Sequence, residues 1–494
     1  MIYQIKNLVF LGKIIFLLIK NKIIYYLILL FINNDLSYKA KIRAKLGSKL
    51  TIVLINLGPL FIKLGQVLST RSDILSCEIT SELTRLHDTL PPFSFKQVKK
   101  IVQSEFDLNI ENIFSSFEQQ SIASASIAQV HKAITKNGKI VAVKILRPKI
   151  KKKYNDNLNF IEYLSNILNF FLRKKKIKLN EVINTLKKTA KFEIDLRLEG
   201  AAADKIKENC RNDSNIYIPK VYWELTRQRI LTLEWIQGTP INKLKELKNN
   251  TFDLNEITKR LAIIFFNQVC RDGLFHADIH PGNILIRDNG DIALIDFGIV
   301  CNLEYEIKIF VVEVMYGFLN KKYSQIKDLH FKTGCVPSDQ SEFEFELACR
   351  SIGEHIIDKP FGEVSLGKLL KHLFEISRKF SVKIHPELLL LHKTILTIEG
   401  TSYQLNPKIN MWKLANPWMK NWANRNLSAK NKMLKLKRQQ ENFIKKIKKI
   451  IHYNYEAKVS HNNNQKVLKF CLLLLIINLI LFVIILSKNF ISFI

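Results

Sequence analysis

The stretch that decides the fold runs from Gly273 to Val300 and reads GLFHADIHPGNILIRDNGDIALIDFGIV. Asp278 and Asn283 lie five residues apart in a loop-like segment between apolar runs. Asp296 follows Asn283 by thirteen residues, after a predicted strand, an Asp-Asn-Gly turn and a second strand. Carboxylate and amide oxygens at these spacings indicate a site for a divalent cation and phosphate groups. The alternative is that they are ordinary loop residues.

The rest of the chain favours the first interpretation, because this layout is that of a kinase catalytic loop. Kinase chemistry also needs a strand lysine that holds phosphates and a helical carboxylate that orients it. Lys144, in the β-type run KIVAVKIL, and Glu199, in KFEIDLRLEGAAADKI, are the candidates. For Lys144 taken alone, the alternative is a surface lysine of a strand. The run LTLEWIQG, which contains Glu234, is predicted to form the hinge between two lobes.

Composition limits the classes of partner and site that the chain could have. The chain has 494 residues, 47% of them hydrophobic, with a formal net charge of +32. That charge reflects either codon bias or attraction to anionic lipid; nucleic acid is disfavoured because aromatic motifs for base stacking are absent. The 7 cysteines include no CxxC motif, which argues against a disulfide framework or a zinc site.

The two ends of the chain suggest a membrane. Residues 470–486 contain one polar residue, Asn478, so a transmembrane helix is predicted over 467–488, with a buried helix of a soluble domain as the alternative. The basic linker before it, 416–466, predicts a cytoplasmic location for the bulk of the protein. This linker lies either on the membrane surface or in solvent. Residues 1–46 are apolar but interrupted by lysines, which predicts an in-plane helix or a short helix that packs on a partner.

Further motifs carry a resemblance to a known family. They are KLGQ (Lys63 to Gln66), the alanine-rich ASASIAQVH (Ala123 to His131), and an ExD motif formed by Glu193 and Asp195. Together with Lys144, Glu199 and the Asp278 loop, they resemble the UbiB/ADCK family of atypical kinase-like proteins, which is linked to ubiquinone biosynthesis. The resemblance covers roughly Ile52 to Leu405. The chain departs from ordinary kinases in having no GxGxxG before Lys144 and no APE after Asp296.

The resemblance implies an α+β, two-lobed protein-kinase-like fold with an N-terminal helical extension, to which the apolar C-terminal run adds the predicted transmembrane helix. The expected segments, in chain order, are a membrane-proximal helical segment (1–46), a helical extension with KxGQ (47–120), an N-lobe with a helical insertion (121–238), a C-lobe (239–415), the basic linker (416–466) and the transmembrane helix (467–488).

The resemblance also implies the roles of individual residues. ATP and Mg²⁺ are the expected cofactors. Asp278 would orient or deprotonate the nucleophile as a catalytic residue together with Lys144 and Glu199, while Asn283 and Asp296 would bind Mg²⁺. Lys63 and Gln66 would lie across the nucleotide pocket and meet Glu193 and Asp195. The expected nucleotide-binding residues are Ile122, Ala123, Ser124, Ala125, Ser126, Ile127, Ala128, Gln129, Val130, Lys144 and Glu234.

The loop also contains two histidines. His276 and His280 are expected to pack within the loop rather than to catalyse. His280 stands where many kinases have a lysine, so contact with a phosphate is the alternative for it.

The function implied is that of a kinase or ATPase at the bacterial cytoplasmic membrane, with its catalytic domain in the cytoplasm. The expected partners are anionic membrane lipid, prenylated quinone precursors and other ubiquinone-biosynthesis proteins. Two alternatives remain: a small-molecule kinase of the aminoglycoside or choline kinase type, and a catalytically silent nucleotide-binding scaffold. The phosphate acceptor is left open.

Overall fold

The structure of the protein is a computed structural model that divides into two units, Met1–Ala415 and Asn416–Ile494. It describes residues 2–32, 35–69, 75–83, 86, 91–171, 183, 186–187, 190–243, 252–357, 372–373, 375–377, 379–382, 385–407, 414 and 417–422. Nearly all of these belong to the first unit. The predicted transmembrane helix, and all of the predicted basic linker except 417–422, lie outside the described residues. No helix within the described ranges combines the length and apolarity needed to cross a bilayer.

The N-terminal part is helical. Its helices are α1 (Ile2–Lys20), α2 (Ile23–Ile32), α3 (Leu36–Leu57), α4 (Pro59–Ser69) and α5 (Cys77–Leu83). The Asp35 side chain caps α3 by accepting a hydrogen bond from the backbone N–H of Ser37 at 2.9 Å. Gly58, with a φ of +106°, ends α3, and Pro59 begins α4 at once, where a missing N–H costs nothing. This sharp turn folds α4, which carries KLGQ, back against α3.

A five-stranded sheet follows, in the order β1-β3-β4-β6, with β2 paired to β3 and every pairing antiparallel. Its strands are β1 (Phe114–Phe117), β2 (Ala123–Ser124), β3 (Ala128–Thr135), β4 (Ile140–Leu146) and β6 (Ile230–Glu234). The sheet therefore begins before residue 121, where the sequence places the start of the N-lobe. Helices α6 (Phe95–Phe106) and α7 (Ile110–Ile113) cover it, and the alternating buried residues of β4 complete the core.

Helices also lie in the chain between β4 and β6. Two of them are α8 (Ile150–Phe171) and α9 (Leu196–Asn209), and α9 carries Glu199. Gly200 allows α9 to approach the sheet, because a Cβ there would lie 3.1 Å from a methyl group of Leu231. The close approach fixes the distance between Glu199 and the neighbouring strand β4.

The second sheet has the order β5-β10-β9-β7, and a separate two-stranded sheet pairs β8 with β11. The strands are β5 (Ile216–Tyr217), β7 (Thr239–Pro240), β8 (Leu274–His276), β9 (Ile284–Ile286), β10 (Ile292–Leu294) and β11 (Val300–Asn302). The helices of this part include α10 (Leu254–Phe266), α11 (Tyr305–Leu319), α12 (Tyr323–Lys332), α13 (Glu342–Ile357) and α14 (Pro386–Leu405). The predicted mixture of helices and strands is confirmed, as are the strand over KIVAVKIL and the hairpin of β9 and β10.

Candidate active site

Lys144 lies at the centre of the site. Strand β4 holds it between Val130 and Leu231 of the neighbouring strands. Its Nζ donates to Glu199 Oε1 at 2.8 Å and Oε2 at 3.0 Å, and to Asp296 Oδ1 at 3.0 Å. The structure thus brings together a lysine and two acids from distant parts of the chain.

Burial and charge act against each other in this cluster. Burial by itself lowers the pKa of Lys144, but Asp296 and Glu199 outweigh it, so that pKa lies above its ordinary value. Burial raises the pKa of Glu199 to about 7 in spite of Lys144. Burial also acts to raise the pKa of Asp296, yet the charge of Lys144 overcomes it and holds that pKa far below its ordinary value. Asp296 is therefore ionised at neutral pH, as a metal ligand must be.

The backbone of Asp296 is unusual, since its φ of +61° lies in the left-handed region that few residues other than glycine adopt. Its Oδ1 accepts a hydrogen bond from the N–H of Gly298 at 3.3 Å. Between them, the buried ring of Phe297 contacts His276, with ring centroids 5.3 Å apart. Strain of this kind persists only where surrounding contacts impose it.

His276 joins the catalytic loop to the segment around Asp296. It is fully buried, its Nδ1 accepts from the N–H of Asp278 at 3.1 Å, and its Nε2 lies 3.2 Å from the carbonyl of Ile295. The two bonds together require the tautomer with hydrogen on Nε2. Burial lowers the pKa of His276, which keeps the ring neutral. His280 is exposed, and its Nδ1 accepts from the N–H of Gly282 in its own loop.

The side chain of Asn283 uses its nitrogen within the loop and leaves its oxygen available. Its Nδ2 donates to the backbone carbonyl of Asp278 at 3.1 Å, so its Oδ1 is left without a protein partner among the described residues. Its backbone carbonyl accepts from Ile295, the neighbour of Asp296. In the described part of the chain no group of three or more His, Cys, Asp or Glu side chains could hold a metal. One carboxylate and one amide suit Mg²⁺, which completes its shell with phosphates and water.

Asp278 has a partner that sequence reasoning missed. Nζ of Lys393, on α14, lies 2.8 Å from Asp278 Oδ1. Burial by itself raises the pKa of Asp278, but Lys393, with a smaller effect from Lys63, outweighs it and holds that pKa below its ordinary value. The only signal in the sequence is a lysine within the apolar run LLLLHKTIL.

The alanine-rich loop is tied down by a second residue that the sequence did not single out. The Arg147 guanidinium donates to the carbonyl of Ala125 at 2.9 and 3.2 Å and to Ser124 Oγ at 2.9 Å. The N–H of Ala125 also bonds to the carbonyl of Ala128 at 2.8 Å. The buried Ser126 hydroxyl has no partner among the described residues, which leaves a donor for a bound nucleotide.

Other expected nucleotide-binding residues are engaged elsewhere or sit at the edge of the loop. The Gln129 side chain bonds to the backbone of Phe93 and to His131. The Glu234 carboxylate accepts from the Tyr217 hydroxyl at 2.7 and 2.9 Å. The remaining positions surround the loop: Ile122 and Ala123 are exposed, Ile127 and Ala128 are buried, and Val130 is half-buried.

The KLGQ motif places Lys63 against Glu193. Their Nζ and Oε1 atoms lie 3.1 Å apart, and the hydroxyl of Tyr154 donates to Glu193 Oε2 at 3.2 Å. Gln66 donates to the carbonyl of Leu86 at 3.3 Å. Asp195 is not brought to this pair.

Asp195 instead serves its own helix. It caps α9 and pairs with Arg197 at 2.6 Å. Arg197 stands two residues away in the chain.

Gly65 of the KLGQ motif lies in close contact with two leucine side chains. A Cβ at Gly65 would overlap the side chain of Leu86 and lie 2.7 Å from a methyl group of Leu54. A larger residue at this position would therefore require Leu54 and Leu86 to move.

Comparison with known proteins agrees with these motifs. Residues 85–330 match the ABC1 atypical kinase-like domain, and residues 349–410 match the UbiB helical domain. A probable protein kinase UbiB of Pseudomonas paraeruginosa is 34% identical over 425 residues, 85% of this chain and 78% of that protein. Proteins of the same description from Azotobacter vinelandii and Histophilus somni are 36% and 37% identical, over 77% and 79% of this chain and 72% and 74% of their own.

A solved structure of a Mycobacterium tuberculosis protein with erythromycin is also similar. Its TM-score is 0.48 at 23% identity, and the match covers 70% of this chain and 91% of that one. The expected kinase-like fold is confirmed by the match to the ABC1 domain.

Proposed function

The chain belongs to the UbiB family of atypical kinase-like proteins, and from this we propose that it is a membrane-associated phosphotransferase or ATPase that uses Mg-ATP and supports ubiquinone biosynthesis. The observation that carries the proposal is the contact of Lys144 with both Glu199 and Asp296. A purely structural ion pair would need only one acid beside Lys144. A second, ionised acid at this distance suits a site in which Asp296 turns to Mg²⁺ and Lys144 to phosphate when the nucleotide binds.

The proposed chemistry assigns a task to each residue. Lys144 binds the α- and β-phosphates, and Glu199 orients it. Asp278, kept ionised by its neighbours, orients the hydroxyl or water that receives the phosphoryl group. Asn283 and Asp296 hold Mg²⁺, which when bound supplies charge neutralisation for the phosphates.

The acceptor is proposed to be water or a small, lipid-like molecule. Lys63, with a smaller effect than Lys393, helps to lower the pKa of Asp278, which supports a place for α4 beside the carboxylate that an acceptor must reach. Helix α4 is largely buried there and held by the pair with Glu193. This placement favours a compact acceptor over an extended peptide.

Membrane association is proposed through the N-terminal helices as well as the C-terminal segment. Along α1 and α2, Lys13, Lys20 and Lys22 flank a set of exposed apolar side chains. That set comprises Ile15, Phe16, Ile19, Ile24, Tyr25, Leu27, Ile28 and Ile32. Apolar residues bordered by lysines fit the interface of an anionic bilayer.

The N-terminal helices also contact the helix that carries KLGQ. The ring of Phe10, on α1, contacts that of Phe61, on α4, with centroids 5.6 Å apart. Phe61 lies two residues before Lys63. Lipid bound to α1 therefore has a direct contact to the helix that lies near Asp278, which supports a lipid effect on turnover.

The decisive experiment is Mg²⁺-dependent ATP hydrolysis by the full chain in anionic and in uncharged vesicles. Asp296→Asn is compared with Asp288→Asn, which changes an exposed aspartate of the β9–β10 turn. We expect turnover that anionic lipid stimulates, a loss of about 10²-fold in Asp296→Asn, and no loss in Asp288→Asn. Nucleotide binding without turnover would replace this proposal by the scaffold alternative, and equal turnover in both variants would exclude this site.

A further inference from the structure

Helix α14 contacts the catalytic loop at two consecutive residues. Lys393 pairs with Asp278, and Thr394 Oγ1 donates to the carbonyl of Ala277 at 3.3 Å. Both residues of α14 lie within the stretch that matches the UbiB helical domain, outside the stretch that matches the kinase-like domain. The helical domain therefore places a charged side chain in the candidate active site.

The ammonium group of Lys393 has capacity beyond this pair. It carries three N–H donors, and among the described residues its only acceptor is Asp278. Its side chain retains 29% of its exposure, and that of Asp278 retains 27%, so the pair is open to a ligand. Two donors therefore remain for oxygen atoms that arrive beside Asp278.

A phosphoryl group beside Asp278 needs such a cation. The proposed function brings a terminal phosphate and its acceptor to an ionised carboxylate, and these negative charges repel each other. His280, in the same loop, accepts from the N–H of Gly282 through Nδ1, and among the described residues no hydrogen bond joins its ring to Asp278. Lys144 is already paired with Glu199 and Asp296.

We propose that Lys393 binds the terminal phosphoryl group of the nucleotide while it remains beside Asp278. Lys393 then separates two negative charges and is a catalytic residue supplied by the helical domain. The inference rests on the proposed function only in taking Asp278 as the residue next to which the terminal phosphate lies.

The test compares a non-hydrolysable ATP analogue with ADP, which lacks the terminal phosphate. Binding of each with Mg²⁺ to the full chain is measured for wild type, Lys393→Met, Lys393→Arg and the control Lys332→Met, which changes an exposed lysine of α12. In Lys393→Met we expect about tenfold weaker binding of the analogue, with ADP binding within about twofold of wild type. Lys393→Arg should restore most of the loss, and Lys332→Met should show none.

A double variant separates contact from charge neutralisation. If Lys393 touches the phosphate, Lys393→Met combined with Asp278→Asn stays weaker for the analogue than Asp278→Asn alone. Equal affinities of these two variants would show that Lys393 only neutralises Asp278, and equal losses for analogue and ADP would show a general disturbance of the pocket; either overturns the inference.

The outcome is separable from that of the proposed function. A chain that prefers the analogue through Lys393 but never hydrolyses ATP would retain the inference and lose the proposed activity. If the chain hydrolyses ATP, but Lys393→Met prefers the analogue over ADP as strongly as wild type does, the proposed activity stands and the inference falls. A chain that binds neither nucleotide would overturn both.

Discussion

Lys63 Nζ lies 3.1 Å from Glu193 Oε1, and both side chains are almost fully buried. Breaking an ion pair at such depth costs more than breaking one at the surface, because water solvates the remaining charge poorly. We expect Glu193→Leu to lower the free energy of unfolding by about 3–5 kcal/mol, measured by thermal or urea unfolding. Lys63→Met combined with Glu193→Leu should recover much of that loss.

An exposed ion pair provides the control. Lys99 and Glu111 approach to 2.6 Å, but both side chains are at least half exposed. Lys99→Met is expected to change unfolding very little, because water screens such pairs. A double variant of the buried pair that is no more stable than Glu193→Leu would show that the two residues are not coupled.

The alanine-rich loop should respond to changes at Ala125 and Arg147. Ala125→Gly raises the conformational entropy that the backbone loses on ordering, at a free-energy cost of about 0.5–1 kcal/mol. We therefore expect nucleotide affinity to change about two- to fivefold. Arg147→Met removes the bonds to Ala125 and Ser124 and is expected to weaken nucleotide binding. Titration of each variant with Mg-ADP measures both effects; affinities equal to wild type would remove the loop from the nucleotide site.

Acid is expected to destabilise the fold through its buried histidines. Burial lowers the pKa of His330 below its ordinary value although its Nδ1 lies 2.7 Å from the carbonyl of Ile326. In the unfolded chain a histidine takes up a proton at about pH 6.5, whereas buried His330 takes one up only at a lower pH. The stability that neutral His330 contributes is therefore present above about pH 6.5 and is lost as the pH falls toward its lowered pKa. The pKa values of His131 and His276 are lowered in the same direction.

The measurement is the unfolding midpoint between pH 7 and pH 5, which should fall. The His330 ring lies between Phe310 and Phe345, at centroid distances of 4.8 and 5.0 Å, so phenylalanine fits the position. His330→Phe should therefore show a smaller fall than wild type. An identical fall would assign the pH dependence to other groups.

Membrane binding should depend on both ends of the chain. Deleting residues 467–494 is expected to release much of the protein from anionic vesicles in a flotation assay, and full retention would assign the anchor to the N-terminal helices. In the shortened protein, Phe16→Ser should weaken the remaining binding about tenfold, since a buried phenylalanine contributes about 1.5–3 kcal/mol. Phe343→Ser is the control, because Phe343 is exposed to 72% on α13, away from α1 and α2 in the chain.

Sequence was a good guide wherever the chemistry is local. The spacing of Asp278, Asn283 and Asp296 predicted a loop and a hairpin, and the structure contains both. The pairing of Lys144 with Glu199 also follows, because the kinase resemblance supplies a relation between distant residues that periodicity does not.

The remainder depends on contacts that no spacing reveals. Lys393 reads as one lysine in an apolar helix until the fold brings it to Asp278. Asp195 pairs with Arg197, a partner that the motif spacing does not single out. The anchoring of Ala125 by Arg147 likewise depends on how the end of β4 meets the loop.

The separation of Lys393 from its carboxylate has a consequence during synthesis. The two residues are 115 positions apart, so a ribosome adding about 5–20 residues per second delivers Asp278 on the order of ten seconds before Lys393. A nascent chain therefore displays every kinase-like motif while Asp278 still lacks the lysine that stands beside it in the finished fold. Stalled or prematurely terminated chains that end before α14 would carry an incomplete site.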